Sequence, residues 1–437
     1  MIAVILAGGK GTRIASLYAD IPKPMILLDG MPVLERQLRC LRRQGIRDAV
    51  LIVGYMHKVI ESYFGSGTWL DMQLSYIIEE EPLGTAGALY YLQERLKEDF
   101  LLINGDLLFE IDLARFRKAH ECTLEKGGLA TILIHPNRHP YDSALVKTNE
   151  ENRVTLWLHR EDRRKWCRNR VNAGMHLFSP KVFSWLRKQG LLEEAEFLDL
   201  DRRVLRPMIP YGLLYAYDSP EYVKDIGTPE RCREAEEDLR QGRLRNLSQP
   251  QRAVFLDRDG TINEKTGFLC AEEQFRLLPG AASAIALLNQ MGWLVIVVTN
   301  QPVIARGDVT LEELDNIHCK METLLGQTGA YVNEIYFCPH HPDKGFFGER
   351  PEYKVECNCR KPKPGMLLEA AKRFHINLAQ SWMAGDDRRD MEAGKAAGCH
   401  TAGLYGCAGE RSFHDLFEFA QFLQEEERMG HEARTVS

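Results

Sequence analysis

Short, almost unbroken apolar runs recur along the chain, each followed by turn residues and then by apolar positions at helical spacing. AVILA at 3–7, AVLIVG at 49–54 and FLLING at 100–105 do this in the N-terminal half, AVFLD at 253–257 and WLVIVVTN at 293–300 in the C-terminal half. Runs this short and this apolar read as buried strands. Their alternation with amphipathic stretches predicts βα units and mostly parallel sheets. The expected fold class is α/β, with two Rossmann-like three-layer domains.

The pattern lapses at 240–252, where RQGRLRNLSQPQR has no apolar period and carries Gly, Asn, Ser and Pro, the composition of a connecting segment. It follows a charged helical stretch, PERCREAEEDLR at 229–240, and precedes a fresh strand. The expected domains are therefore 1–240 and 252–425, joined by a linker at 241–251. A polar tail at 426–437 is expected to fray. There is no internal repeat.

Composition changes the picture little. The 437 residues suit two domains, and 44% hydrophobic with 27% charged residues is ordinary for soluble globular protein. A net charge of -6 gives no electrostatic reason to expect nucleic acid. Anionic substrates must then be met by local arginines and lysines, with metal ions helping. MIAVILAGG is too short and too glycine-bounded for a signal peptide or membrane span. Eleven cysteines without such a leader point to a reducing cytoplasm. The partners expected are small molecules, with neither nucleic acid nor membrane, and a homodimer is the default assembly.

The first candidate site begins where AVILA runs into Gly8-Gly9-Lys10-Gly11-Thr12-Arg13. Glycines let backbone amides approach phosphate oxygens, and Arg13 can neutralise charge on a leaving pyrophosphate. The loop is neither a Walker A nor a dinucleotide pattern. Pro22-Lys23-Pro24 adds a rigidly held lysine, Asn104-Gly105-Asp106 a carboxylate at a strand end, and Asp225-Ile-Gly-Thr-Pro229 another. Together these resemble the sugar-phosphate nucleotidylyltransferases of the G-G-x-G-T-R type, over roughly the first 240 residues. The resemblance implies that Gly8, Gly9, Gly11, Thr12 and Arg13 hold the nucleotide phosphates, that Lys23 contacts phosphate, and that Asp106 and Asp225 hold Mg²⁺. It places Gly84, within Glu81–Gly87, on the base side and Asn172-Ala-Gly174 on the sugar. Many relatives carry Glu-Lys before that last segment. Here Arg160 or Lys165 stands in for the lysine, or the arginine-rich stretch is a solvated loop.

The second candidate site follows AVFL with Asp257 and Asp259, whose side chains share a face in extended backbone. One can attack phosphorus while the other donates a proton to the leaving oxygen. Thr299-Asn300, Arg360-Lys361-Pro362 and Gly385-Asp386-Asp387 accompany them. In this order they resemble the four motifs of haloacid-dehalogenase-like phosphatases. The resemblance implies Asp257 as nucleophile, Asp259 as acid and then base, and phosphoryl contacts from Thr299, Asn300, Arg360 and Lys361. It implies Mg²⁺ on Asp257, Asp259 and Asp386. Asp387 and Asp390 are nearby acids, read either as positioning ligands or as helix-start carboxylates.

Cys338-Pro-His340-His341 and Cys357-Asn-Cys359 form a separate group. Three thiolates and an imidazole suit a tetrahedral, structural Zn²⁺ on Cys338, His340, Cys357 and Cys359, with His341 as the alternative imidazole. Such a site would fix the loop that leads into Arg360 and Lys361. CPHHP, CNCRKPKPGM and FLDRDGTIN look like heptose 1,7-bisphosphate 7-phosphatases and, less closely, histidinol-phosphate phosphatases. Relatives commonly have Ser-Gly after the glutamine where this chain has Gln301-Pro302-Val303. GTRIASLYADIPKPM looks similar to heptose 1-phosphate guanylyltransferases. The combined expectation is a two-step enzyme, phosphatase and then guanylyltransferase. The alternatives are another sugar or base, or one half acting only as a binding module.

Overall fold

The computed structural model describes residues 1–9, 21–345 and 347–435. Two compact units divide it. Unit 1 comprises Met1–His135, Val146–Trp157 and Asn172–Asn246, and unit 2 comprises Pro136–Leu145, Leu158–Val171 and the chain from Leu247 onward.

In unit 1 the strands longer than two residues are Ala3–Leu6 (β1), Asp48–Val53 (β2), Gln73–Ile78 (β3), Phe100–Asn104 (β4), Leu107–Glu110 (β5), Ala130–His135 (β6), Leu145–Thr148 (β7), Val154–Leu158 (β8), Val171–Phe178 (β9), Leu214–Asp218 (β10) and Tyr222–Asp225 (β11). The main sheet runs β8-β7-β9-β4-β1-β2-β3, with β6 joining β9 to β10. β1 pairs in parallel with both β2 and β4, so the apolar run AVIL is buried on both faces, as its lack of alternation requires. β9 enters antiparallel beside β4. A separate antiparallel ladder, β5 with β11, sets Asp225 opposite Leu107.

Unit 2 is a parallel sheet of Ala253–Leu256 (β12), Leu294–Asn300 (β13), Glu334–Cys338 (β14), Trp382–Gly385 (β15), His400–Leu404 (β16) and Arg411–Phe413 (β17). Its order is β14-β13-β12-β15-β16-β17. Alternate residues feed opposite cores. Val254, Leu256, Val295 and Val297 pack with Ala281–Gln290 (α1), Leu311–Gly326 (α2) and the buried face of a C-terminal helix. Ala253, Phe255, Ile296 and Val298 pack with Gly365–Phe374 (α3). Helices on both faces complete the expected three layers. β12 is central, so the C-terminal ends of β12, β13 and β15 lie side by side and deliver Asp257, Thr299 and Asp386.

The change of unit falls inside the expected linker, between Asn246 and Leu247. Leu247 is buried in the unit 2 core and the Gln251 N–H donates to His375 O at 2.8 Å, so the second half of that segment is folded structure. The stretch expected to fray continues the helix Leu416–Thr435 (here α5, after Arg388–Ala397, α4). Residues 136–145 and 158–171 group with unit 2 rather than with a continuous 1–240 body. Their arginines explain this. Arg168 Nε lies 2.8 Å from Glu322 Oε1 on α2, Arg170 Nη1 lies 3.5 Å from its other oxygen, and the Asn169 N–H donates to that oxygen at 2.7 Å. A fully buried carboxylate such as Glu322 must be paired, and these groups pair it.

Candidate functional sites

Asp257 leaves the end of β12 with its N–H bonded to Ala384 O on β15. The chain then turns through Gly260, whose φ of +88° suits glycine and where a Cβ would collide with the Asp386 carboxylate. That close approach brings Asp257, Asp386 and Asp390 together, each offering an oxygen within 4.8 Å of the others. Lys361 is buried among them, with Nζ 2.9 Å from Asp257 Oδ1 and 2.6 Å from Asp390 Oδ1. Burial pulls the lysine's pKa down, but the two carboxylates outweigh it and the net shift is upward. Burial, with Asp257 nearby, pushes Asp390 up to about 7 against the pull of Lys361.

Asp386 Oδ1 is buried without a hydrogen-bond partner, and its other oxygen meets Lys265 Nζ at 2.7 Å. An orphaned carboxylate oxygen between two further carboxylates is the donor set a hard divalent cation takes. The trio differs from the expected one, because Asp390 stands where Asp259 was placed. Both Asp259 oxygens accept from protein donors: Arg258 Nε and Nη2, Asn263 Nδ2 and Gln301 Nε2. Burial alone would raise its pKa, but those partners, Arg258 foremost, hold it below the usual value. Asp387 caps α4 through the Arg389 N–H, as a helix-start carboxylate does.

The phosphate-binding residues expected from sequence converge here. Thr299 is buried at the end of β13, and the Asn300 side chain clamps Lys361, donating to its O and accepting from its N–H, both at 3.0 Å. A cavity of about 350 Å³ opens beside Asp257, walled by Lys265, Phe268, Arg360 and Arg389.

Cys338, His340, Cys357 and Cys359 form the second cluster. The sulfurs lie 3.3–3.5 Å apart, and His340 Nδ1 is 3.4 Å from Cys359 Sγ and 3.7 Å from Cys338 Sγ. These separations are far beyond a disulfide bond of about 2.05 Å. They are close to the edges of about 3.8 Å that a tetrahedron with Zn–S bonds of ~2.3 Å would have. His341 faces Asp343 instead. Arg360, next to Cys359, donates to His340 O at 3.0 Å and closes the loop.

In unit 1, Lys23 Nζ forms an ion pair with Asp106 at the end of β4. The Ile226 N–H donates to Asp106 O, which sets Asp225 beside Asp106, and Arg231 Nη1 holds Asp225 at 2.8 Å. Gly11, Thr12 and Arg13 lie outside the described residues; Gly8 and Gly9 follow β1. The loop containing Gly84 is pinned to a second segment by Ala86 N–H to Leu198 O, Leu198 N–H to Leu83 O and Leu200 N–H to Thr85 Oγ1. Asn172 Oδ1 accepts from the Gly174 N–H and meets His176 Nε2, which directs its amide nitrogen toward Asp201 Oδ1 at 3.4 Å. Of the candidates near 160, Arg160 is exposed and Lys165 pairs with Glu272.

Asp201 was missed from sequence. Burial pushes its carboxyl up to about 7, well above the ~4 of a free aspartate. It binds its proton more tightly folded than unfolded, so unit 1 loses stability as pH rises from about 4 to about 7. Asp201→Asn removes that penalty. Its thermal midpoint is expected to exceed that of the wild type at about pH 8 and to match it near pH 4; equal midpoints at both would contradict this.

Glu79, just past β3, was missed as well. A Cβ on Gly8 would sit 2.7 Å from Glu79 Oε2, while Oε1 is buried with no hydrogen-bond partner among the described residues. Burial raises its pKa.

Two Rossmann-like units, each with carboxylates past strand C-termini and a lysine brought to them from a separate segment, define a pair of phosphate-handling enzymes in one chain. The profile of the nucleotidyl transferase family matches residues 2–242, and that of the haloacid dehalogenase-like hydrolases residues 208–398. The chain belongs to the nucleotidyl transferase family and carries a haloacid dehalogenase-like hydrolase behind it. That second part is 44% identical over 149 residues to the D-glycero-beta-D-manno-heptose-1,7-bisphosphate 7-phosphatase of Vibrio cholerae, covering 34% of this chain and 78% of that protein. The protein of that name from Escherichia coli is 42% identical over 149 residues, 34% of this chain and 76% of its own. Among solved structures, HddC from Yersinia pseudotuberculosis is similar at 26% identity, covering 55% of this chain and 99% of that one, with a TM-score of 0.46.

Proposed function

We propose that this chain makes GDP-D-glycero-alpha-D-manno-heptose in two steps, removing the 7-phosphate of the heptose 1,7-bisphosphate and then transferring GMP from GTP to the resulting α 1-phosphate. One observation carries this reading. The phosphatase half is similar to enzymes named for leaving a sugar 1-phosphate, and it shares a chain with a nucleotidyl transferase, which needs such an acceptor.

In unit 2 an Asp257 oxygen attacks the phosphorus and the bond to the sugar C7 oxygen breaks. Asp259 gives that oxygen its proton. Phosphoryl charge arriving beside Asp259 favours its protonated form for this step. Lys361 and Thr299 hold the phosphoryl oxygens. Water then attacks the aspartyl phosphate, Asp259 takes its proton, and inorganic phosphate leaves. Mg²⁺ held by Asp257, Asp386 and Asp390 would neutralise phosphoryl charge. In unit 1 an oxygen of the sugar 1-phosphate attacks the α-phosphorus of the triphosphate, and pyrophosphate departs with no covalent intermediate. Lys23, Asp106 and Asp225 align the reactants, and the two carboxylates would hold Mg²⁺, which would neutralise charge on the triphosphate.

The choice of guanine rests on Glu79. A carboxylate only accepts, and guanine alone presents a ring N–H and an amino group side by side on its pairing edge. Gly8 lies directly against that carboxylate, and its missing side chain is what lets the glycine loop approach Glu79 so closely. Cytoplasmic placement and a homodimer complete the reading. No helix among the described residues is long and apolar enough to cross a membrane.

The test incubates the protein with Mg²⁺, either anomer of heptose 1,7-bisphosphate and each NTP, resolving products by mass. GDP-heptose with phosphate and pyrophosphate is expected. Phosphate without nucleotide sugar would refute the acceptor. The second reading, the β anomer as substrate, is favoured by the name of the Vibrio cholerae relative, and the two anomers decide it. Glu79→Gln should lower the preference for GTP over ITP, which lacks the amino group, by about tenfold or more, the scale of one charged hydrogen bond.

A further inference from the structure

Gln301 is buried on the segment that leaves β13, and no part of the mechanism above uses it. Its amide nitrogen donates twice, to Asp259 Oδ2 and to Thr299 Oγ1, both at 2.9 Å. Its own N–H donates to Cys338 O at 2.8 Å, which anchors the residue to β14. One amide group therefore joins two groups that come from different strands, Asp259 following β12 and Thr299 ending β13.

We propose that Gln301 is a positioning residue that registers the proton donor against the phosphoryl site, an inference resting on Asp259 as the acid of the reading above. Its two amide hydrogens are both spent, so its orientation is fixed. Thr299 Oγ1 accepts from it, which turns the threonine's own hydroxyl hydrogen away from Gln301 and toward other acceptors, the phosphoryl oxygens among them. Arg258 approaches Asp259 from the same turn, with Nη1 3.2 Å from His318 Nε2 on α2 behind it, so it ties the carboxylate to that helix and not to β13. Gln301 is the tie to the neighbouring strand. Proton transfer is sensitive to such a tie, because a misplacement of about 1 Å can cost around 10²-fold in rate.

The experiment compares leaving groups in the full chain. Removing a sugar phosphate expels an alkoxide that needs a proton, whereas p-nitrophenyl phosphate expels a stabilised phenolate that does not. Gln301→Leu is expected to slow 7-phosphate removal by about 10²-fold and p-nitrophenyl phosphate cleavage by only a few-fold. Gln301→Met, similar in size and also without the donor, repeats the test should the leucine variant fail to fold. Asp259→Asn is run alongside. If it shows the selective loss and the Gln301 variants lose both substrates equally, or neither, the positioning role is overturned while the acid stands. If Asp259→Asn itself shows no selectivity, the acid assignment falls and takes this inference with it.

Discussion

Asp257→Asn should abolish phosphate release, by on the order of 10⁴-fold or more, while transfer to a supplied sugar 1-phosphate continues unchanged. The amide keeps the shape but offers no nucleophilic carboxylate. It also removes the charge that faces Lys361 Nζ at 2.9 Å. Because Lys361 keeps Asp390 as a partner at 2.6 Å, the fold should survive the change. Acid-quenched enzyme exposed to labelled substrate should show a phosphorylated wild type and an unlabelled variant. Phosphate release within tenfold of wild type would remove Asp257 from the nucleophile's role. Loss of transfer as well would mean that the two activities share more than a chain.

Cys359→Ser is expected to have the largest effect on stability. A zinc ion on these four ligand atoms would contribute folding free energy, because they are not assembled in the unfolded chain. Losing even ~3–5 kcal/mol of it lowers the melting midpoint of a unit of this size by roughly 10 °C. Metal analysis should find about one zinc per wild-type chain and far less in the variant. Arg360 and Lys361 follow Cys359 directly, so phosphatase activity should fall together with the metal. A variant that melts like the wild type with its zinc retained would dissolve the assignment.

Much of both sites was legible because phosphate chemistry puts a few residue types at strand ends. Asp257, Thr299 and Asp386 lie where apolar runs stop, and they meet because β12, β13 and β15 are neighbours in the sheet. The cysteine pairs were legible from their spacing, and His340 was named with them, though the sequence left His341 as an alternative. The backbone turns His340 inward and His341 toward Asp343, a matter of one residue's phase. Asp390 escaped a firm role because its meeting with Asp257 depends on where α4 begins. Glu79 carries no motif, and Gln301 entered only as the residue before a departure from the family pattern; the meaning of both lies in partners far away in sequence. The arginines at 168 and 170 drew no reading from the sequence, because the carboxylate that holds them, Glu322, lies on a helix in the other half of the sequence.

That last arrangement bears on how the two enzymes are joined. The chain changes unit near residues 135, 145, 157 and 171 before it does so at 246. A gene cut at the apparent linker would yield a phosphatase fragment lacking both segments that complete it, with the Glu322 carboxylate stripped of Arg168 and Arg170. What reads along the sequence as two consecutive enzymes is interleaved in its segments, and no single cut in the gene would release both units whole.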